Sequence, residues 1–330
     1  MNADERQTSD VTHIRISEVA EGQPVLLDGG TGRELMRIGA PFRQPEWSAL
    51  ALIEAPEYIT QVHRRYIHAG AEIITTNSYA VVPFHIGMQR FERDGAALAA
   101  LAGKLARAAA DEAPHRVQVA GSLPPVCGSY RPDLFDAIVA RPVLQQLVRA
   151  LEPYVDLWLS ETVSSEAEMV LMAEVLAGTT QPWWVSYTLA DQATRLPGAR
   201  LRSGEPVGAA VTHAARRGAR AVLFNCCQPE VIGEALIAAK RTLAAARAPH
   251  AGEAVRVGAY ANAFESQTTT ASANAELHEL RADLGPTEYL SWAQQWLADG
   301  ADIIGGCCGV GPEHIALIRD VLGRRPPRVS

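Results

Sequence analysis

The sequence predicts a single α/β domain folded as a (β/α)8 barrel, on three observations. Eight short apolar, largely β-branched runs alternate with eight Ala-, Leu- and Arg-rich helical segments. Nearly every run ends in a chemically distinctive group, while the opposite ends meet Gly- and Ala-rich connections. The third observation is length: 330 residues suit one large barrel as well as two average domains. An open doubly wound sheet is the alternative. It would have to bring the ends of the sixth and eighth runs together across its width, whereas in a barrel both face one mouth.

Residues 1–22 read as a polar tail without a motif, and residues 23–330 carry the barrel. The runs lie at 25–27, 72–76, 117–120, 155–159, 183–187, 221–224, 255–258 and 302–304. Helical segments are expected at 56–69, 95–111, 142–151, 165–176, 206–217, 229–243, 287–298 and 312–322, several opening on Pro in the first turn. The run ends are Asp28-Gly29-Gly30-Thr31-Gly32, Thr76-Asn77-Ser78-Tyr79, Gly121-Ser122, Ser160-Glu161-Thr162, Asn225-Cys226, Tyr260-Ala261-Asn262 and Cys307-Cys308. In a barrel these form one ring around the active site. Residues 264–285, rich in Ser, Thr and Ala, have no place in the repeat and are expected to form a lid over the mouth.

Composition narrows the function. With 48% hydrophobic residues the chain has ample core, and a formal charge of −7 with no basic run argues against a nucleic-acid partner. No apolar stretch approaches the ~20 residues that span a bilayer, and the polar N-terminus lacks the core of a signal peptide. A small-molecule partner is expected, with the oligomeric state unspecified.

The five cysteines define the chemistry. Cys307 and Cys308 are adjacent, flanked by Gly305, Gly306 and Gly309, so two thiols sit at the end of the last run with little bulk around them. Neighbouring cysteines close only a strained ring, and the odd total argues against a disulfide framework. Paired thiolates call for a cation. Zn2+ favours sulfur, and a third sulfur is available at Cys226-Cys227, where the sixth run ends. Three sulfurs leave one tetrahedral position open, the mark of a catalytic site. A vicinal pair kept reduced also points to the cytoplasm.

Leu27-Asp28-Gly29-Gly30-Thr31-Gly32, Thr75-Thr76-Asn77-Ser78-Tyr79, Gly121-Ser122, Asn225-Cys226 and Gly305-Gly306-Cys307-Cys308-Gly309 together resemble the zinc-dependent homocysteine S-methyltransferases, over about residues 25–318. The resemblance implies a (β/α)8 barrel with Cys226, Cys307 and Cys308 as zinc ligands. It implies transfer of a methyl group from a sulfonium donor, S-methylmethionine or S-adenosylmethionine, to zinc-bound homocysteine, giving methionine. Betaine as donor, or another thiol or selenol as acceptor, is the alternative; a zinc-stapled or redox thiol protein without catalysis is a remote third.

The residues make sense on those terms. A zinc-bound thiolate is deprotonated yet nucleophilic, so no further general base is required. Asp28 and Glu161 resemble the acidic positions that bind the substrate ammonium, and the N–H groups of Gly29 and Gly30 are candidates for its carboxylate. The cationic donor favours aromatic faces, for which Tyr79 and Trp47 are the candidates, while Trp183 and Trp184 read as packing. Asn77, Ser122, Asn225 and Asn262 are expected to orient substrate or tune the metal shell, or equally to satisfy loop backbone. Cys226 is expected to point inward from its strand, with alternation turning Cys227 away. Cys127 reads as a loop thiol and His314 as a helix-start residue without a metal role. The Ala of Tyr260-Ala261-Asn262 and the stretch 123–130 depart from the family where a donor pocket is shaped.

Overall fold

The computed structural model describes residues 24–191, 197–246, 254–265 and 279–322; the polar tail and most of the expected lid fall outside the described residues. The eight expected runs all form parallel strands: β1 (Val25–Leu26), β2 (Ile73–Thr75), β3 (Gln118–Leu123), β4 (Leu157–Val163), β5 (Trp183–Tyr187), β6 (Ala221–Asn225), β7 (Arg256–Tyr260) and β8 (Ile303–Ile304). They pair in the order β1-β8-β7-β6-β5-β4-β3-β2. Closure comes from the Leu27–Ile73 bridge, with Asp28 N–H donating to Ile73 O (3.0 Å) and Glu72 N–H to Leu26 O (2.8 Å). The sheet is therefore a barrel, the architecture that unites all the strand ends.

The helices around it are α1 (Thr31–Arg37), α2 (Ser48–Glu54), α3 (Glu57–Ala69), α4 (Pro83–Ile86), α5 (Met88–Asp111), α6 (Ala137–Leu151), α7 (Glu166–Leu176), α8 (Val207–Arg216), α9 (Ile232–Ala245), α10 (Pro286–Ala298) and α11 (Pro312–Leu322). Helices α1, α2 and α4 were not expected; at four to seven residues each is too short to display a 3.6-residue period. Two starts also differ. α5 begins at Met88 rather than 95, and α6 begins after Asp136, whose carboxylate accepts from Ile138 N–H at 2.8 Å, leaving Pro142 inside the helix instead of at its first turn. An N-cap side chain outweighs the proline as a start signal here.

Alternation along the strands sorts the core into two layers. Leu27, Ile73, Leu157, Leu159, Trp184, Ala221, Leu223 and Ile303 fill the barrel interior, whereas Trp158, Val185, Val222, Phe224 and Ile304 pack outward under the helices. Trp184 is thus an interior packing residue. Trp183, buried, donates its indole N–H to Ser160 Oγ at 3.0 Å. With the interior plugged by apolar side chains, polar strand-end residues collect at the C-terminal mouth. Among the described residues no helix is long and apolar enough to cross a membrane.

Candidate active site

Cys307 and Cys308 are pinned from both sides of the seam between β7 and β1. Gly305 N–H donates to Ala259 O (3.0 Å), Gly306 N–H to Asp28 O (2.9 Å) and Cys307 N–H to Ala261 O (3.0 Å), while Cys308 O accepts from Ala263 N–H (2.8 Å). The glycines are obligatory for this approach. A Cβ on Gly29 would lie 2.3 Å from Val310 O, one on Gly30 would lie 2.6 Å from Cys307 O, and one on Gly306 would strike Val310. Gly30 N–H itself donates to Val310 O at 2.9 Å, so that donor is already used and does not wait for a substrate carboxylate.

Cys226 arrives differently from the sequence expectation. Since Leu223 points inward and Phe224 outward, strict alternation would turn Cys226 out. The backbone takes φ 51° at Cys226, a left-handed kink that swings the thiol to the mouth and leaves Cys227 fully buried in the outer layer. Cys227 is excluded by that kink, not by simple parity.

The sulfurs of Cys226, Cys307 and Cys308 lie within 4.8 Å of one another, and no other group of this kind that could hold a metal occurs among the described residues. Cys226 and Cys307 are joined as a disulfide, a link that the cysteine count argued against. Its Cα–Cα separation of 5.8 Å explains it: two strand ends remote in sequence meet at bonding range. Burial pushes the Cys308 thiol up to about 11, opposed by the charge of Arg33, so a thiolate there at neutral pH needs a cation beside it. The reduced trio supplies a soft three-sulfur donor set of the kind a metal ion accepts.

Beside the sulfurs, the mouth opens into a cavity that includes Asp28, Glu161, Tyr79, Trp47 and Asn77 in its wall. Asp28 is buried, its Oδ2 accepting from Thr75 N–H (2.7 Å) and Thr75 Oγ1 (3.0 Å). Glu161 touches the cavity and is enclosed elsewhere; Ser122 Oγ and Tyr260 OH (3.4 Å) donate to it. Ser122 therefore supports Glu161 from behind instead of lining the cavity. Burial raises both acids, to about 8 for Asp28 and about 7 for Glu161, Thr75 opposing at the first and Ser122 and Tyr260 at the second, with Glu161 adding repulsion at Asp28.

These shifts set a pH dependence. A carboxyl raised in the folded state binds protons that the unfolded chain has released, so its contribution is full below about pH 4 and lost as pH rises through 7 to 8. Glu168, raised to about 7 mainly by burial, acts in the same sense. Metal-free, reduced protein is expected to lose unfolding free energy between pH 5 and pH 8, and Glu161→Gln to flatten that slope; denaturant titrations across the range measure it.

Aromatic residues make the remaining wall. Tyr79 OH and Ser129 Oγ share a hydrogen bond of 2.6 Å, and Trp47 packs edge-on against Phe42 and His85 at 5.7 and 6.4 Å. Sequence reasoning misses Tyr130, Tyr260, Phe264, Thr75 and Arg33, all in the wall. Tyr260 stands within a quoted run end, and its inward parity was the available signal; Tyr130 ends the stretch 123–130 that departs from the family, and Arg33 sits in a short helix without a signal. Four residues hold left-handed conformations that side chains disfavour: Trp47 (φ 51°), Tyr130 (φ 67°), Thr162 (φ 59°) and Cys226 (φ 51°). All four line the cavity. Strain of about 1–3 kcal/mol per residue persists where surroundings enforce it and clusters at functional sites.

Asn225 is one enforcer. Its Oδ1 accepts from Thr162 N–H (3.0 Å) and Ser186 Oγ (2.7 Å), its Nδ2 donates to Thr162 Oγ1 (3.0 Å), and it approaches Cys307 Sγ at 4.0 Å. Asn77 similarly spends its Nδ2 on Ser48 O (3.0 Å), and Asn262 gives its backbone N–H to Cys227 O (3.0 Å). A second enforcer is the buried Arg202–Asp191 pair at 2.8 Å, its side chains 3% and 0% exposed. Arg202 lies 4.4 Å from the centre of the Tyr130 ring and donates to Thr188 Oγ1 (3.1 Å); Thr188 in turn donates to Cys226 O (3.1 Å). Cys127 hydrogen-bonds weakly to Asp136 O, and His314 lies in the first turn of α11, accepting from Gly311 N–H at 3.1 Å; neither joins the sulfur group.

A (β/α)8 barrel whose C-terminal mouth groups three cysteines beside the buried Asp28 and the half-buried Glu161 has the architecture of an enzyme scaffold, with a sulfur donor set that could hold a metal ion. The profile of the homocysteine S-methyltransferase family matches residues 25–322, and the chain belongs to that family. It is 32% identical over 316 residues to the homocysteine S-methyltransferase of Escherichia coli (strain K12), covering 89% of this chain and 94% of that protein. It is 26% identical over 339 residues to the selenocysteine methyltransferase of Astragalus bisulcatus, covering 91% and 93%. Its fold matches the crystal structure of the metallated form of the homocysteine methyltransferase MmuM from Escherichia coli with a TM-score of 0.70 at 28% identity, over 91% of this chain and 96% of that one.

Proposed function

We propose that this enzyme transfers a methyl group from a sulfonium donor, S-methylmethionine or S-adenosylmethionine, to the sulfur of L-homocysteine, giving methionine, with Zn2+ held by Cys226, Cys307 and Cys308. The observation that carries the reading is the grouping of those three sulfurs within 4.8 Å at the edge of a cavity that also contains Asp28 and Glu161. Bound zinc would keep the acceptor thiol deprotonated and nucleophilic near neutral pH.

The chain's own residues do the rest. Asp28 and Glu161 take the homocysteine ammonium, whose charge offsets the burial that otherwise favours the protonated form of both acids. Thr75, Ser122 and Tyr260 hold those carboxylates in place. Tyr79 and Trp47 present aromatic faces to the cationic methyl donor, each worth roughly 0.5–2 kcal/mol. As the new S–C bond forms, the donor's C–S bond breaks toward its own sulfur, which leaves as a neutral thioether with less attraction for the rings. Reduced thiols fit a cytoplasmic setting.

Betaine as donor is a second reading, and similarity to a protein named for selenocysteine supports a selenol acceptor as another. Methyl-transfer assays pairing L-homocysteine or selenocysteine with a panel of donors, with zinc measured on the same sample, separate them. Glu161→Ala is expected to raise the KM for homocysteine about 10–100-fold while stoichiometric zinc is retained. An unchanged KM would remove Glu161 from the ammonium site.

A further inference from the structure

We propose that Ser129 is a positioning residue for the methyl donor: from the loop between β3 and α6 it holds the hydroxyl of Tyr79, and with it the ring against which the cationic donor rests. The inference rests on the methyl-transfer reading above. Tyr79 OH and Ser129 Oγ share a hydrogen bond of 2.6 Å, and both residues line the cavity. Burial pushes the Tyr79 phenol well above its ordinary range, so the group stays neutral and its O–H needs a partner. Thr162 is the other hydrogen-bonding neighbour of that phenol, and Asn225 already holds Thr162 at its N–H and its Oγ1, each at 3.0 Å. The tip of the ring is thus braced from two places, the loop after β3 and the end of β4. A cation is attracted to the face of a ring, so a ring free to tilt loses part of that attraction.

Ser129 can serve as a brace because its own turn is fixed on both sides. Gly128 takes φ 116°, and a Cβ there would lie 3.1 Å from the Phe84 ring. Tyr130 takes φ 67° with the Arg202 guanidinium carbon 4.4 Å from its ring centre. Ser129 between them is buried. Phe84 packs edge-on against His85 at 5.2 Å, and His85 against Trp47 at 6.4 Å, so the same turn bears on both aromatic candidates, on Tyr79 by a hydrogen bond and on Trp47 through two rings. The acceptor side has separate supports: Thr75 donates to Asp28, and Ser122 and Tyr260 donate to Glu161. Loss of the Ser129 hydroxyl should therefore be felt by the donor and not by homocysteine. Ser129 also belongs to the stretch 123–130 that departs from the family, in the part of the wall where donors are told apart.

The test is a double-mutant cycle on zinc-loaded protein, comparing wild type with Ser129→Ala, Tyr79→Phe and the double variant, with Ser129→Thr as the conservative rescue. Ser129→Ala is expected to raise the KM for S-methylmethionine about 3–10-fold and to leave the KM for L-homocysteine unchanged. Tyr79→Phe, which keeps the ring and removes the same bond, should do the same, and the double variant should be no worse than either single one. Ser129→Thr keeps a hydroxyl and should stay close to wild type. Calorimetric binding of S-methylmethionine to the same proteins gives a readout independent of turnover. If the wild type transfers no methyl group from any donor, the reaction reading fails, while binding of the sulfonium that weakens equally in Ser129→Ala and Tyr79→Phe still upholds the brace. A donor KM and binding unchanged in Ser129→Ala, an equal rise in the KM for homocysteine, or effects of the two substitutions that simply add would overturn it.

Discussion

Replacing Cys308 with alanine is expected to abolish stoichiometric zinc and reduce methionine formation to background. Removing one of three sulfurs takes away a direct ligand, so metal affinity should fall by more than the roughly 10–100-fold lost when a residue merely touching a ligand is changed. Cys227→Ala is the matched control. Cys227 is fully buried in the outer layer with its thiol pushed up to about 12 by burial, and no other sulfur groups with it. Its loss should cost about 1 kcal/mol of packing and leave zinc in place. Metal analysis and turnover on both variants check the contrast; zinc retained in Cys308→Ala, or lost in Cys227→Ala, would reassign the ligands.

Arg202→Met is expected to destabilise the fold by about 3–5 kcal/mol, since it leaves the Asp191 carboxylate buried without its guanidinium. The effect should reach the site as well. Asp191 Oδ1 also accepts from Gln228 N–H (2.9 Å), and Gln228 Nε2 donates to Phe264 O (2.8 Å), so one pair steadies Tyr130, Phe264 and the carbonyl of Cys226. Removing both charges in Arg202→Met/Asp191→Leu should recover much of the stability, because apolar replacement of a buried pair is often neutral or better. Activity should stay low in the double variant, as Tyr130 and Phe264 have lost their support. Denaturant midpoints and kcat, read together, separate the two effects.

The barrel was legible because each strand spends its apolar residues before its polar ones. Val222, Leu223 and Phe224 precede Asn225, and Ile303 and Ile304 precede the glycines and cysteines, so periodicity and punctuation agree. Asp28, Glu161 and Tyr79 were legible for a related reason: they stand at or just beyond strand ends, and closure brings them to one cavity, which Trp47 joins from the start of α2. What escaped the sequence depends on backbone twists without a residue signature. Nothing in Asn225-Cys226-Cys227 announces a left-handed cysteine, and nothing around Tyr130 announces that an arginine more than seventy positions later will stack on it. The Gly29-Gly30 pair reads equally as a ligand cradle or a packing seam: both glycines line the cavity, while Gly30 N–H is spent on Val310 O.

The closure of the barrel has one more consequence. Between β1 and β2 the ladder is a single bridge, and a side chain completes it: the Asp28 carboxylate accepts from the amide of Thr75, where a longer strand would offer a carbonyl. The group proposed to greet the substrate is therefore also the last rivet in the wall of the molecule. A visitor's positive charge, by holding that carboxylate ionised, strengthens its grip on the neighbouring strand, so occupancy and the tightness of the ring rise together.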